Sequence, residues 1–545
     1  MGGPAAPLAL ASSLPLRSKT AFTTRAGSHG KRSHQSRGTL LVRAAGAFTK
    51  LIEIPVARGV ARALMVPARR FMDGADAAGT VLDAIDVRVP DADARLPLEL
   101  APLIPLSGYD VGEVPFVMQA VMYYRDTLDV GVLERALRDA LAAYPLLAGR
   151  LDLSDVDASR KGVRLTNDGV PLRVVRSELD FDALPGDFAA ESRAFLDYEP
   201  WIDVMLGGAP VFTAKVTQLR NGGSALGVCM SHAVSDGQGF VEFLVAWSLR
   251  AAGRAHPLGD PVFDRALLPA LDRDITRDEV LDMLAEEKWE SRDPVMMLGK
   301  AVVAGRTLVP DFLRFPPGNR VMIPVRRAEL DAIRAAAGGD GVTANEALSA
   351  HAWLQLSQIV GADGGAAIGD VLEHVTVVSG RGGKRGLPEM YFGNASVGVK
   401  TGALEVGAFA SDDLAGVRDA LRPGLRRALM RREKFLKLTE ATFRAGVSAY
   451  DFDIDAFMRG RCVWCNNLTT IYLKLYELDF GTGRPELALP PELNDIVQIQ
   501  CSRPKRGTRE AGEDGVEMFV NLPPNVMEKI RAPEAMAKLA GIGCY

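Results

Sequence analysis

Residues 210–247 commit this part of the chain to one local grammar. Val211, Phe212, Ala214 and Val216 are interleaved with Thr and Lys as in a half-buried strand. Asn221-Gly222-Gly223 breaks the run, and Ala225–Met230 supplies a second apolar stretch. Ser-His-Ala-Val-Ser-Asp-Gly follows at 231–237, after which Phe240, Phe243, Leu244 and Trp247 recur at helical spacing. The expectation is strand, turn, strand and helix. His232 then sits where a buried strand runs out, and Asp236 and Gly237 form a turn. An imidazole titrates near neutrality, so it can take a proton from an alcohol or amine. Asp236, four positions on, would orient that ring or lock the turn through a cation. A histidine satisfied inside a core, beside a turn aspartate, leaves the same short pattern. The motif needs company.

Composition narrows the field. A chain of 545 residues, 48% hydrophobic, can bury two cores, and a formal charge of −4 gives no whole-chain drive toward nucleic acid. No uninterrupted apolar run is long enough to cross a bilayer. Five scattered cysteines are not a disulfide framework, and Cys462-Val-Trp-Cys465 lacks the partner pair a zinc site needs, so these read as reduced structural thiols.

The N-terminus is set apart. Residues 1–50 carry eight Lys and Arg, many Ser and Thr, and no acid before Glu53, ending in Val42-Arg43-Ala44-Ala45. That composition predicts a transit peptide over 1–45, plastid ahead of mitochondrion, with a disordered tail on a cytoplasmic protein as the alternative. Residues 46–80 read as a linker or amphipathic segment; Leu51, Ile52, Ile54 and Val56 among Arg58, Arg62, Arg69 and Arg70 would allow peripheral membrane contact. Pro55 and Pro67 interrupt any long helix there.

Further on, Val117–Tyr124 is a strand and Val132–Tyr144 a helix, ended by Pro145-Leu146-Leu147-Ala148-Gly149-Arg150. Thr343 with Glu346 forms a capping box that opens a helix to Ile359. Val375–Ser379 enters the turn Gly380–Arg385, followed by Tyr391-Phe392-Gly393-Asn394. Ile471–Leu478 runs into Asp479-Phe480-Gly481-Thr482-Gly483-Arg484-Pro485, and Met518–Leu522 is a last strand before a helix at Asn525–Ile530.

Together these pieces resemble the BAHD acyltransferases, within the chloramphenicol-acetyltransferase-like superfamily. His232–Gly237 matches the family's His-x-x-x-Asp-Gly, and Asp479–Pro485 its Asp-Phe-Gly-Trp-Gly loop with Thr482 in place of Trp. Tyr144–Arg150 resembles Tyr-Pro-Leu-Ala-Gly-Arg with one extra leucine, and Tyr391–Asn394 matches Tyr-Phe-Gly-Asn. The resemblance implies an α/β fold of mixed sheets and helices, in two similar domains with a solvent channel between them. The expected divisions are 81–270, a crossover at 271–320, and 321–545. It implies transfer from acyl-CoA, a co-substrate, to a small-molecule alcohol or amine, by a monomer, with no bound cofactor or metal.

In that family His232 is the general base. Asp236, paired with Arg381, supports its turn together with Gly237, and Asp479, Gly481 and Gly483 form a structural loop. Where many relatives have Thr-Ser-Trp, this chain has Leu468, Thr469 and Thr470; the two threonines are candidate oxyanion donors or ordinary strand residues. Two alternatives stand beside this reading. One is a condensation-type transferase using acyl-carrier-protein thioesters, although Ser231 occupies the place of its second histidine. The other is a non-catalytic scaffold on the same fold. Apolar and neutral residues near Met118–Tyr124, Leu354–Ile359 and Phe392–Val397 point to a hydrophobic alcohol acceptor, such as a xanthophyll or terpenoid.

Overall fold

The computed structural model describes residues 79–545 apart from 91–95, 115, 155–160, 185–191, 200, 269–275, 288, 293–318, 362–369, 383–385, 445–447, 451–461, 491–495 and 505–510. The expected transit peptide and amphipathic segment lie outside the described residues, as does much of the expected crossover.

Two six-stranded mixed sheets organise the molecule. In chain order the first five strands are β1 (Gly79–Val87), β2 (Val117–Tyr124), β3 (Val170–Ser177), β4 (Phe212–Gln218) and β5 (Ser224–Ser231). Then come β6 (Val321–Arg326), β7 (Val371–Ser379), β8 (Ser396–Glu405), β9 (Cys462–Asn467), β10 (Leu487–Leu489), β11 (Ile496–Cys501) and β12 (Gly515–Asn521). The first sheet runs β1-β3-β4-β5-β2-β10 and the second β6-β12-β11-β9-β7-β8. β10 thus comes from the C-terminal half of the chain and completes the first sheet, pairing Leu487 with Tyr123 and Leu489 with Val121.

β5 is buried along its whole length between β4 and β2, which is why its sequence is a continuous apolar and small-residue run. Gly227 in its middle has a steric reason. A Cβ there would stand 1.8 Å from the Phe195 carbonyl oxygen, because a neighbouring segment lies directly on the strand. The helices that matter for the site are α1 (Gly108–Gly112), α2 (Val130–Ala143), α3 (Gly237–Ala251), α4 (Ala344–Gly361), α5 (Leu414–Met430) and α6 (Arg432–Arg444).

α3 packs on the first sheet through the apolar spacing legible in its sequence. Phe243 meets Phe212 edge-on at 5.0 Å and Tyr144 at 5.1 Å, and Trp247 donates its indole N–H to the Leu133 carbonyl of α2 at 3.0 Å. The Thr343–Glu346 capping box is formed ahead of α4, with the Glu346 amide donating to Thr343 Oγ1 at 3.1 Å. Leu354 and Leu356 of α4 are fully buried in the second core, and Met118, Met122 and Phe392 in the first, so they pack the cores instead of lining a channel.

No helix among the described residues is long and apolar enough to cross a membrane. Cys229, Cys465 and Cys501 are free and buried, and Cys462 is buried too; burial pushes the Cys465 thiol up to about 12, which leaves it protonated and inert.

Candidate active site

The ladder of β5 ends with Ser231 opposite Val117, and the next residue leaves the sheet. His232 keeps one last backbone bond, its amide donating to the Phe116 carbonyl at 3.0 Å. Asp236 then starts α3 directly. It is an extended N-cap residue (φ −93°, ψ −178°) whose Oδ1 accepts from the Gly239 amide at 3.2 Å. The expected tight turn at Asp236-Gly237 is therefore a helix cap, and Gly237 has no positive φ to account for. The tight place is Gly239, where a Cβ would meet Ser235 Oγ at 2.0 Å.

The imidazole is held by Asn394, a residue 162 positions away. Asn394 Nδ2 donates to the His232 carbonyl at 2.7 Å and to Asp110 Oδ1 at 2.9 Å. With both amide hydrogens placed, Asn394 Oδ1 is left facing His232 Nδ1 at 2.9 Å. An amide oxygen only accepts, so Nδ1 carries the hydrogen and the Nε2 lone pair is free. This is the tautomer a general base needs. The side chain is 24% exposed, so solvent-side access to the ring remains.

Two buried ion pairs hold Asn394 in place. Arg381 Nη1 meets Asp236 Oδ2 at 2.6 Å, and Arg265 Nε meets Asp110 Oδ2 at 2.7 Å, all four side chains being at most 6% exposed. The segment from Tyr391 to Ala395 threads between them. Arg381 takes the carbonyls of Tyr391 (2.8 Å) and Gly393 (2.9 Å), and Arg265 that of Phe392 (2.5 Å). Asp110 takes the Asn394 amide (2.9 Å) and Asp236 the Ala395 amide (3.0 Å). The carbonyls of 391–393 thus alternate between the two arginines, and the amides of 394 and 395 between the two aspartates. Gly393 is obligatory for this reason: a Cβ would lie 2.6 Å from Arg265 Cζ. Burial alone would raise the Asp236 carboxyl; Arg381 and the amide bonds outweigh it and hold it below the usual carboxylate value.

Arg381 and Asn394 both arrive on the connection between β7 and β8, whose ladder ends with Ser379 opposite Ser396. His232, Asp236 and Asp110 come from the other sheet's side of the molecule. Asp236 does not touch the imidazole; Asn394 does. Asp110, Arg265, Asn394 and Glu113, whose Oε2 is 3.9 Å from His232 Nδ1, were not singled out by sequence reasoning as site residues. The signals were present: Tyr391–Asn394 stands out as a motif, and Asp110 closes the polar Ser107–Asp110 stretch. No spacing rule joins them to a histidine over 100 residues distant.

The remaining sequence-predicted residues lie elsewhere. Asp479 Oδ1 accepts from the amides of Gly481 (2.8 Å) and Gly483 (3.0 Å), both glycines having positive φ. The Asp479 amide donates to Ser248 Oγ at 2.9 Å, near the far end of α3, and Phe480 packs edge-on against Trp247 at 5.3 Å. The loop therefore braces the C-terminal end of the helix whose N-terminal end follows His232. Thr469 opens a short helix, Thr469–Leu473, instead of continuing β9, and its hydroxyl donates to Asn467 Oδ1 at 2.7 Å. Thr470 is exposed. Neither threonine has a hydroxyl bonded to His232.

Known proteins similar to this chain are transferases. A model described as "Transferase family" matches residues 95–297, which hold His232, Asp236, Asp110 and Arg265. Tryptamine hydroxycinnamoyltransferase 2 of Oryza sativa subsp. japonica is 26% identical over 408 residues, covering 72% of this chain and 84% of its own. Omega-hydroxypalmitate O-feruloyl transferase of Arabidopsis thaliana is 26% identical, covering 67% and 74%. The chain is similar to acyltransferases of this family over most of its length. Solved structures share its fold. The crystal structure of vinorine synthase superposes with a TM-score of 0.57 at 17% identity, covering 83% of this chain and 96% of that one. F. sporotrichioides TRI101, complexed with coenzyme A and T-2, gives 0.58 at 17% identity, covering 79% and 98%.

Proposed function

We propose that this chain is a BAHD acyltransferase that transfers an acyl group from a CoA thioester to the hydroxyl of a hydrophobic acceptor, with His232 Nε2 as general base. The observation that carries the reading is the Asn394–His232 bond, which places the hydrogen on Nδ1 and leaves Nε2 free where β5 ends. Nε2 takes the proton as the acceptor oxygen attacks the thioester carbonyl. The tetrahedral intermediate then collapses, and the departing thiolate receives that proton from Nε2. No covalent acyl-enzyme is needed. The oxyanion requires a donor, and Thr469 could serve only by releasing Asn467. The relatives' names span amine and hydroxyl acceptors, tryptamine and omega-hydroxypalmitate among them. A long-chain alcohol is favoured by the omega-hydroxypalmitate transferase among the relatives, a terpenoid being the other candidate, and a plastid location by the acid-free first 50 residues.

The test supplies the protein with acyl-CoAs, and separately with acyl-carrier-protein thioesters, together with pooled apolar alcohols. Thiol release and ester mass are followed. His232→Ala is expected to lower turnover by about 10²–10⁴-fold. Ester formation undiminished in His232→Ala refutes the assignment, and turnover with carrier-protein thioesters alone replaces CoA as the donor.

A further inference from the structure

Acyl transfer leaves one ionisable group beside His232 without a task. Glu113 follows α1, and its carbonyl accepts from the Phe116 amide at 3.0 Å while the Phe116 carbonyl accepts from the His232 amide. One turn of backbone therefore sets the carboxylate next to the ring, with Oε2 3.9 Å from Nδ1 and the side chain 20% exposed. The two other carboxylates here are consumed by structure. Asp110 accepts from Arg265, the Ser107 amide and both Asn394 nitrogens. Asp236 accepts from Arg381, Ser396 Oγ and the amides of Gly239 and Ala395. Among the described residues no donor hydrogen-bonds to the Glu113 carboxylate. A partly desolvated acid with no structural bonds is costly unless its charge has a counterpart, and the imidazole edge is what it faces.

We propose, resting on the acyl-transfer reading above, that Glu113 is a positioning residue that acts through His232 as the counter-charge to the imidazolium formed during transfer. It lies on the Nδ1 edge, opposite the reacting Nε2, so it touches neither donor nor acceptor. The Nδ1 hydrogen stays with Asn394 Oδ1, and the carboxylate favours the cationic ring that exists between attack and collapse. Burial raises the Glu113 carboxyl above its usual value, while the neighbouring His232 pulls it down. The other ionisable groups facing Glu113 are Asp110 and Asp236, each already paired with an arginine, and Tyr109 one turn back on α1.

Glu113→Gln keeps the shape and removes the charge. In the full chain, with labelled histidine, the His232 ring signal is assigned by its loss in His232→Ala and titrated in wild type and in Glu113→Gln. The titration midpoint is expected to fall by roughly one unit in the variant. The acid limb of the kcat/KM profile should move to lower pH by the same amount, with KM for the thioester little changed and Glu113→Asp partly restoring the wild-type midpoint. An unchanged midpoint in a folded Glu113→Gln protein overturns the proposal, and so does lost activity with an unmoved midpoint. Should wild type turn over no thioester, the acyl-transfer reading fails by itself, while the midpoint still decides whether Glu113 holds the charge on His232.

Discussion

Replacing Asp236 by Asn tests the claim that a buried ion pair, and not a catalytic aspartate, stands behind the His232 motif. Asp236 accepts four hydrogen bonds: Oδ1 from Gly239, and Oδ2 from Arg381, Ala395 and Ser396. An Asn that keeps the helix cap must point its NH₂ at the Arg381 and Ala395 donors, so those two bonds are lost, only the Ser396 hydroxyl can turn to accept, and Arg381 stays buried with an uncompensated charge. Removing one partner of such a pair costs about 3–5 kcal/mol. Trp247 and Trp353 report on the two cores, so urea unfolding followed by intrinsic fluorescence reads the loss as a lower midpoint at similar slope. Adding Arg381→Leu to Asp236→Asn removes the stranded charge. The double variant should then be destabilised by about 0.5–3 kcal/mol less than the two single losses combined. Folded Asp236→Asn at low temperature should retain part of its turnover, because Asp110 still fixes the Asn394 amide while the bond to Ala395 is lost. An Asp236→Asn midpoint within about 1 kcal/mol of wild type, or strict additivity in the cycle, refutes the reasoning.

Three further outcomes follow from the same contacts. Gly393→Ala drives a methyl into a guanidinium pinned by Asp110, Phe392 and Val234, and should cost about 1–3 kcal/mol in the same urea experiment. Asn394→Ala frees the ring to change tautomer and should cut kcat by about 10²-fold at nearly constant KM in steady-state assays; unchanged kcat would separate tautomer control from catalysis. Because the folded Asp236 carboxyl lies below its unfolded value, its contribution is complete above about pH 4 and disappears as pH falls through the folded value. Acid titrations of stability should therefore be flatter below about pH 4 in Asp236→Asn than in wild type.

Local structure was legible because it obeys local rules. Period-2 spacing located β4 and a continuous apolar run β5, each to within two residues, the helical spacing of Phe240–Trp247 fell inside α3, and the Thr343–Glu346 box marked the start of α4. What escaped was anything decided across the chain. Asp236 and Gly237 read as a turn in sequence, yet the same residues become a cap once Phe240, Phe243 and Trp247 carry the helix back to the residue after Asp236. Thr469 read equally as strand or site residue, whereas Asn467 captures its hydroxyl at the start of a short helix. Asn394 was noticed as part of a tetrapeptide, but its role depends on Asp110, 284 positions earlier, fixing its amide. Spacing carries no information about such distances. The carboxylates of Asp110 and Glu113 are three residues apart and have opposite fates, which only the surrounding donors distinguish.

The placement of β10 has a consequence during synthesis. β2 emerges from the ribosome early, but its partner Leu487–Leu489 is made about 360 residues later. At roughly 5–20 residues per second, the buried apolar edge of β2 waits on the order of 20–70 s for the strand that covers it. Throughout that interval the nascent first sheet presents an open edge of the kind that templates pairing with other chains. The N-terminal half of this protein expressed alone would carry the same uncovered edge permanently.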